Sequence, residues 1–277
     1  MRDGMDEERS LVERWPAEHV CVAAVGPDGL LSSTGDLEHR FALASVTKPL
    51  VATAVLVAVE EGAVDLDGPC GPDGSTVRHL LAHASGIAPD DRTVLVPPGR
   101  RRIYSNSGFE ILAEHLATAT GIGLADYLRE GVFEPLGMDD SELVGSPGAG
   151  ATSTVADLAL WVQEWLSPGR LLHPSTVAEA TTVQYPELSG VLPGYGTQTP
   201  NPWGLGVEIR GHKWPHWSGT QNSPATYGHF GKSGTFVWID PVARLGLVGL
   251  GDTDFGQWAV DLWPVLNDAV LAEHRRD

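Results

Sequence analysis

Ser45 and Lys48 have the side chains of a nucleophile and of a group that can handle its proton, and they lie three positions apart in Ala-Ser-Val-Thr-Lys. They stand at the start of a stretch, 45 to about 62, that is rich in Ala, Leu and Val and predicts a helix stopped by Gly62. Positions i and i+3 share a helix face, so the lysine ammonium can reach the serine oxygen. The positive potential at the helix N-terminus would also favour a serine alkoxide. A Ser-x-x-Lys motif is short enough to arise by chance, so it needs support from elsewhere in the chain.

A second group of reactive side chains is Tyr104-Ser105-Asn106. A phenol with a pKa of about 10 is a poor base at neutral pH, but a neighbouring ammonium would stabilise its phenolate. Asn106 offers an amide donor and a carbonyl acceptor that could hold a substrate or Lys48. Without context, a loop tyrosine followed by two turn-forming residues is an equally good interpretation. These three residues alone leave both open.

The third group is Gly-His-Phe-Gly at 228–231, followed by an apolar run. Strand alternation predicts His229, Gly231 and Ser233 on one face, with Phe230 and Lys232 on the other. Gly231 would let a substrate lie against the backbone of the strand. An isolated histidine is usually structural, so a role for His229 depends on where the fold places it.

Strands at both ends of the chain and helices between them must position these groups. Residues 19–25 and 30–34 predict a hairpin, and 203–209, 234–239 and 244–250 predict three antiparallel strands before a final helix that contains Pro264. Helices are predicted over 76–85 and 107–121 and in the segments 125–137 and 153–166. The expected fold is α/β, an α+β sandwich in which N- and C-terminal strands form an antiparallel sheet flanked by helices. We expect one catalytic domain over 1–277, with an α/β lobe at about 1–62 and 203–277 and an inserted, mainly helical lobe at about 63–202.

Composition excludes some functions and leaves others open. The net charge of −18 over 277 residues argues against nucleic acid and against anionic membranes as partners. The charged first residues lack the apolar stretch of a secretory signal, and no apolar run is long enough to cross a bilayer, so we expect a cytoplasmic protein. Cys21 and Cys70 lie outside any metal-binding spacing and His-Glu-x-x-His is absent, so we expect neither a metal nor another cofactor.

The three groups occur in the order and rough spacing of the serine β-lactamase-like superfamily. This chain resembles the branch that contains class C β-lactamases, D-alanyl-D-alanine carboxypeptidases, D-aminopeptidases and related esterases. The resemblance runs from about residue 20 to the C-terminus. It is supported by further stretches that look like family sequence: LLAHASG at 80–86, PLGM at 135–138, STVADLALW at 153–161, WGLG at 203–206 and WIDP at 238–241. Lys-Ser-Gly at 232–234 also matches the third sequence motif of that superfamily, Lys-(Ser/Thr)-Gly. The distance to WIDP at 238–241, however, places this motif at 229–231, where the chain has His-Phe-Gly. The resemblance implies a β-lactamase/transpeptidase-like fold.

Carried over by this resemblance, Ser45 would attack a carbonyl while Lys48 and Tyr104 handle its proton, and Tyr104 as general base would activate the water that hydrolyses the acyl-enzyme. Backbone N–H groups of Ser45 and Lys232 would bind the oxyanion. His229 would replace the lysine of the lactamase motif and hydrogen-bond to the tyrosine or to the substrate.

The resemblance implies a serine hydrolase acting on a small-molecule ester or amide. Because a histidine binds a β-lactam carboxylate less reliably than a lysine does, we expect esterase-like activity rather than D-aminopeptidase or β-lactamase activity. Two alternatives remain open: an acyltransferase that uses the same acyl-enzyme, and a non-catalytic ligand-binding domain on the same scaffold. The segment 186–226 is predicted to be mostly loop, and its aromatic residues either wall the cleft or pack beneath the loop; they are Tyr195, Trp203, Trp214 and Trp217.

Overall fold

Short apolar runs separated by Gly, Asp and Pro form most of the sheet strands, and longer Ala- and Leu-rich runs form the helices. The computed structural model describes residues 2–275. The strands are β1 Val20–Gly26, β2 Gly29–Thr34, β3 Phe41–Ala42, β4 Glu142–Leu143, β5 Ala151–Ser153, β6 Gly190–Leu192, β7 Gly196–Gln198, β8 Glu208–Ile209, β9 Tyr227–Gly231, β10 Thr235–Asp240 and β11 Leu245–Gly251. The α-helices are α1 Arg2–Val12, α2 Thr47–Glu60, α3 Val77–Leu81, α4 Asn106–Thr120, α5 Leu124–Leu128, α6 Glu134–Leu136, α7 Val155–Leu166, α8 Pro174–Ala180 and α9 Gln257–His274.

The main sheet has six strands in the order β2-β1-β11-β10-β9-β8, and its neighbours are antiparallel. β1 lies beside β11, with Val20 opposite Gly251 and Val25 opposite Gly246, so the two ends of the chain meet in the sheet centre. The predicted antiparallel sheet of N- and C-terminal strands is therefore confirmed.

Both faces of the sheet are covered by helices, because the inner strands are apolar at nearly every position. Along β10, Val237 and Ile239 face a core shared with α2, α4 and α7, whereas Phe236 and Trp238 face a second core under α1 and α9. This alternation is the period of two that a strand imposes. α7, which comes from the stretch predicted as the helical lobe, packs on β1 and β11; the division into two lobes stays a prediction.

Helix ends follow the local sequence. Ser105 caps α4 by accepting a hydrogen bond from the Gly108 N–H, and Gly121 ends the helix with φ of 75°. Thr154 caps α7 in the same way through the Asp157 N–H. Among residues 2–275 no helix has both the length and the apolar character needed to span a bilayer.

Three elements were not anticipated. The charged first residues form α1, which packs mainly against α9 through Leu11 and Val12. The segment 186–226, predicted to be mostly loop, contains the hairpin β6–β7. The chain also makes a 3-10 turn at Ala44–Val46 before α2, so the helix predicted from residue 45 begins two residues later, at Thr47.

Candidate active site

Ser45 lies in the 3-10 turn that leads into α2. Ala44 precedes it with φ of 45°, a conformation that is unusual for a residue other than glycine and is typical of functional sites. This turn presents the Ser45 side chain at the wall of a cavity and keeps it next to the positive end of α2.

Lys48 is fully buried one turn further along, and its ammonium contacts three oxygens and, in the part of the chain that the structure describes, no carboxylate. Its Nζ donates to Asn106 Oδ1 at 2.6 Å, to the Gly148 carbonyl at 2.7 Å and to Ser45 Oγ at 3.4 Å. Asn106 in turn donates through Nδ2 to the exposed Asp90 carboxylate at 2.7 Å. The structure therefore brings Ser45 and Lys48 together, as the helix spacing predicted, and it adds Asn106, for which Lys48 was one of two predicted partners.

Tyr104 completes this cluster from the other side of Ser45. Its hydroxyl donates to Ser45 Oγ at 2.7 Å, and Lys48 Nζ lies 4.5 Å from the centre of its ring. The buried His83 ring packs against Tyr104 at 4.6 Å, and its Nδ1 accepts the Ser105 N–H at 3.2 Å. His83 thereby fixes both the ring and the backbone at the end of the segment that carries Tyr104.

The two proton-handling groups have pKa values shifted in opposite directions by the same cause. Burial lowers the pKa of Lys48 to about 7, with a smaller opposing effect from the charge of Asp90. Burial raises the pKa of Tyr104 above its ordinary value, opposed in part by its hydrogen bond to Ser45. A resting phenolate on Tyr104 is therefore disfavoured, and the neutral amine of Lys48 is the group that can accept a proton near neutral pH.

His229 lies at the cavity wall and does not hydrogen-bond to Tyr104, one of the two partners predicted for it; a hydrogen bond to the substrate stays a prediction. Its Nδ1 donates to the Phe230 carbonyl at 2.7 Å, which leaves Nε2 as an acceptor, and Nε2 has no partner among the described residues. The two rings lie 5.7 Å apart. Burial, and then the charge of Lys48, lower the pKa of His229 to about 3, so the ring is neutral at pH 7.

Gly231 ends β9 against the loop that precedes Ser45. A Cβ there would meet the Leu43 carbonyl and the Thr235 hydroxyl, and Thr235 Oγ1 itself donates to Leu43 at 2.8 Å. Glycine is thus required at this position because the end of β9 packs closely against the loop before Ser45. Contact of Gly231 with a substrate stays a prediction.

The backbone N–H groups of Ser45 and Lys232 are both free to bind an oxyanion. Among residues 2–275, neither has a hydrogen-bond acceptor. Gly231 packs on Leu43 and Ala44, which places the end of β9 beside the Ser45 turn. Stabilisation of a tetrahedral oxyanion needs two unpaired donors that converge on one point, and this role for the two N–H groups stays a prediction.

One expectation about Lys232 relied on a strand that ends one residue before it. Strand alternation placed its side chain on the face opposite His229, but β9 ends at Gly231, and the chain turns there. Both residues line the same cavity, and the Lys232 side chain is 85% exposed.

We call this space the catalytic cavity. It has a volume of about 250 Å³ and is lined mainly by apolar and aromatic side chains around Ser45. Its lining residues are Ser45, Tyr104, Leu192, Pro193, Gly194, Trp203, Glu208, His229, Phe230, Lys232 and Phe255. Of the four aromatic residues left open by the sequence, only Trp203 lines it; Tyr195 and Trp217 pack in the core beneath, and Trp214 is exposed.

Three contributors were missed from the sequence: His83, the Gly148 carbonyl and Glu208. His83 stands inside LLAHASG, so the resemblance contained a signal for it. The Gly148 carbonyl is a backbone group 100 residues from Lys48, so no residue type in the sequence could have predicted its contact with Lys48. Glu208 is 2% exposed and is paired with Lys213 at 2.5 Å, with His216 at 3.0 Å and with Trp217 Nε1 at 2.7 Å.

With this geometry in place, the family model described as Beta-lactamase matches residues 32–270. The chain belongs to the β-lactamase family. That family assignment makes it a member of a group of β-lactamase-fold serine hydrolases that includes esterases and peptidases.

Individual relatives agree with this placement. Esterase EstB of Burkholderia gladioli is 26% identical over 84% of this chain and 82% of its own length. Penicillin-binding protein 4* of Bacillus subtilis is 27% identical over 37% of this chain, and the match spans 30% of that relative. Penicillin-binding protein 4* and the D-alanyl-D-alanine-carboxypeptidase/endopeptidase AmpH of two Escherichia coli strains are matched over only half of their own length or less.

A solved structure described as a β-lactamase from Mycobacterium bovis is 55% identical, with a TM-score of 0.95 over 97% of this chain and all of that one. A penicillin-binding protein homologue from Pyrococcus abyssi, 19% identical, has a TM-score of 0.73 over 98% of this chain and 74% of its own, and shows the fold alone. The β-lactamase/penicillin-binding-protein-like fold is therefore confirmed.

Proposed function

We propose that this β-lactamase-family protein hydrolyses carboxylic esters or small amides with an uncharged acyl group through an acyl-Ser45 intermediate, with esters preferred. The observation that carries the proposal is the Ser45 oxygen held between the Tyr104 hydroxyl at 2.7 Å and the Lys48 ammonium at 3.4 Å. A serine becomes a nucleophile when a neighbouring base can take its proton.

The proton route follows from the pKa directions. Neutral Lys48 accepts the Ser45 proton while the serine oxygen forms a bond to the acyl carbon, and the N–H groups of Ser45 and Lys232 bind the carbonyl oxygen as it becomes negative. The scissile C–O bond then breaks, and the leaving oxygen takes a proton from the Tyr104 hydroxyl, which Lys48 restores. In the second half of the reaction, water attacks the acyl carbon and gives a proton to Tyr104, which passes its own proton to Lys48. The Ser45 oxygen then leaves the acyl carbon and takes the proton back from Lys48, and the carboxylic acid is released.

The preference for an uncharged acyl group rests on His229. A neutral ring whose Nδ1–H is held by the Phe230 carbonyl leaves Nε2 as an acceptor, and an acceptor repels a carboxylate. The apolar lining of the catalytic cavity favours an acyl group without charge. These features support an ester hydrolase over a β-lactamase, and the named esterase among the relatives supports it too.

The test is intact-mass spectrometry after incubation with p-nitrophenyl acetate, a fluorophosphonate and a penicillin, alongside nitrophenol release. Wild type should release nitrophenol and gain the fluorophosphonate mass, and Ser45→Ala should do neither. Ser175→Ala, which alters an exposed serine of α8 outside the cavity, should behave as wild type. A wild-type protein that stays unmodified by all three reagents would favour the ligand-binding alternative. A stable penicillin adduct, or turnover of penicillin, would move the activity toward the lactamases and carboxypeptidases, and product formation only in the presence of an added alcohol or amine would indicate an acyltransferase.

A further inference from the structure

A second cavity of about 360 Å³ adjoins the catalytic cavity on the other side of the β6–β7 hairpin. Its lining is Pro89, Leu95, Arg101, Arg102, Ile103, Tyr104, Val191 and Pro193, and we call it the side groove. Tyr104 and Pro193 line both spaces, so the groove is continuous with the reacting atoms through the Tyr104 side chain.

The side groove presents apolar side chains to solvent, which is uncommon for a surface without a ligand. Leu95 is 54% exposed and Val191 49% exposed, and Pro89 and Pro193 are exposed beside them. Such an apolar surface, concave and beside a reactive centre, fits a small apolar group.

The two adjacent arginines of the groove differ in what they contact. The Arg102 guanidinium is buried and donates to four backbone carbonyls, so it is a fixed part of the wall. Arg101 is exposed and, within the described part of the chain, makes no hydrogen bond or ion pair through its side chain. Its guanidinium is therefore free to bind an anionic group, in a chain whose net charge of −18 otherwise repels anions.

The division of catalytic groups decides which part of a substrate enters the groove. Ser45 and Lys232, whose N–H groups would hold the carbonyl oxygen, line the catalytic cavity and not the groove. Tyr104, which would protonate the departing oxygen, lines the groove. The acyl group therefore belongs in the catalytic cavity and the leaving group in the side groove.

We propose that the side groove is a leaving-group subsite for an aryl or alkyl alcohol that carries an anionic group, bound by Arg101 at its outer end. The proposal rests on the proposed function for the identity of the leaving group. Three residue steps separate Tyr104 from Arg101, at most about 10 Å of chain. A probe for the subsite therefore carries its anion one aromatic ring and a short linker from the scissile oxygen.

Two acetate esters that differ only in this charge test the proposal. They are 3-(4-acetoxyphenyl)propanoate and its methyl ester, whose phenol leaving groups have similar reactivity because two methylene groups insulate the carboxylate from the ring. In wild type, kcat/KM should be about three- to tenfold higher for the carboxylate, as a charge-assisted hydrogen bond allows, and about 1 M salt should reduce this ratio. Arg101→Gln should bring the ratio to about one, whereas Arg100→Gln, an exposed neighbour outside the groove, should keep it.

Equal ratios in wild type and Arg101→Gln would overturn the proposal. So would an Arg101-dependent preference for a carboxylate on the acyl side, seen with 4-nitrophenyl hydrogen glutarate against its methyl ester. Binding of the free phenol, 3-(4-hydroxyphenyl)propanoate, to the Ser45→Ala variant measures the groove without turnover, and Arg101→Gln should weaken it by the same factor. Arg101-dependent binding in a protein that never acylates would leave the subsite standing and refute the proposed function. Ester turnover without any Arg101 dependence would support the proposed function and refute the subsite.

Discussion

Two buried lysines, Lys48 and Lys213, show how differently this fold treats the same side chain. Both are almost completely inaccessible, and burial lowers the pKa of each. Lys48 contacts only neutral oxygens, from Ser45, Asn106 and Gly148. Lys213 lies 2.5 Å from the Glu208 carboxylate.

The partner decides what each lysine can do. Burial lowers the pKa of Lys48 to about 7, because the charge of Asp90, which does not contact the ammonium, opposes the effect only in part, and Lys48 can therefore exchange a proton at neutral pH. The charge of Glu208 opposes the effect of burial on Lys213 and favours its protonated form. Burial alone would raise the pKa of Glu208, but the charges and hydrogen bonds of Lys213 and His216 hold it well below its ordinary range. Lys48 is thus suited to chemistry and Lys213 to structure.

The structural cluster also has a place in the site. Glu208 lies at the start of β8 and lines the catalytic cavity, and its second oxygen accepts from Trp217 Nε1 at 2.7 Å. The cluster therefore ties the loop that carries Lys213, His216 and Trp217 to the edge of the sheet behind the cavity.

The largest difference is expected from removing each ammonium in turn. Lys48→Met should lower kcat/KM for p-nitrophenyl acetate at pH 7 by about 10²- to 10⁴-fold, the range for loss of a general base, with little change in fold. Steady-state kinetics and the circular dichroism spectrum check both parts. A variant that keeps more than a tenth of the activity would remove Lys48 from the proton route.

Lys213→Met should lower stability and leave the activity of the folded protein nearly unchanged. It leaves the Glu208 carboxylate buried without its cation, and breaking a buried pair typically costs about 3–5 kcal/mol of unfolding free energy. Urea unfolding measures this loss, while kcat per folded molecule should stay within about threefold of wild type.

The Glu208→Gln/Lys213→Met double variant keeps this test sharp if the single variant does not fold. With neither charge present, it should regain a large part of the lost stability, because no unpaired ion remains in the interior. A double variant less stable than the single one would show that the pair is not a charge-balancing unit.

Some of this contrast could be predicted from the sequence and some could not. The positions of Ser45, Lys48, Tyr104 and Asn106 followed from helix spacing, from phenol chemistry and from resemblance, because short motifs fix local geometry. The antiparallel sheet followed from apolar runs separated by turn residues. Those are local properties of the chain.

The remaining features depend on tertiary contacts. Whether a lysine meets an amide or a carboxylate is set by elements far apart in sequence, as with Lys48 and Gly148. The same holds for the His229 ring, whose Nδ1 is held by a neighbouring carbonyl and whose neutrality comes from burial. The orientation predicted for the Lys232 side chain continued strand alternation past Gly231, where β9 ends.

The smallest change places a carboxylate beside Lys48 and so makes it resemble Lys213. In wild type, the neutral amine is the active form, so kcat/KM should rise with pH through a midpoint near 7 and level off above it. Asn106→Asp puts a negative charge where Oδ1 now lies 2.6 Å from Nζ. An opposite charge at that distance raises a lysine pKa by about 1–3 units, so the midpoint should move up by that amount. Activity should fall at pH 7 and recover in more alkaline buffer.

The variant Asp90→Asn/Asn106→Asp controls for net charge, because it moves one carboxylate from an exposed position to a half-buried one beside Lys48 without adding another. It should show the same upward shift of the midpoint, whereas Asn106→Ala should lower activity at every pH without an upward shift. If Asn106→Asp lowers activity and leaves the midpoint near 7, then the group that titrates is not Lys48. In that case the different roles of Lys48 and Lys213 would come from where they lie in the fold and not from the charge of the groups that they contact.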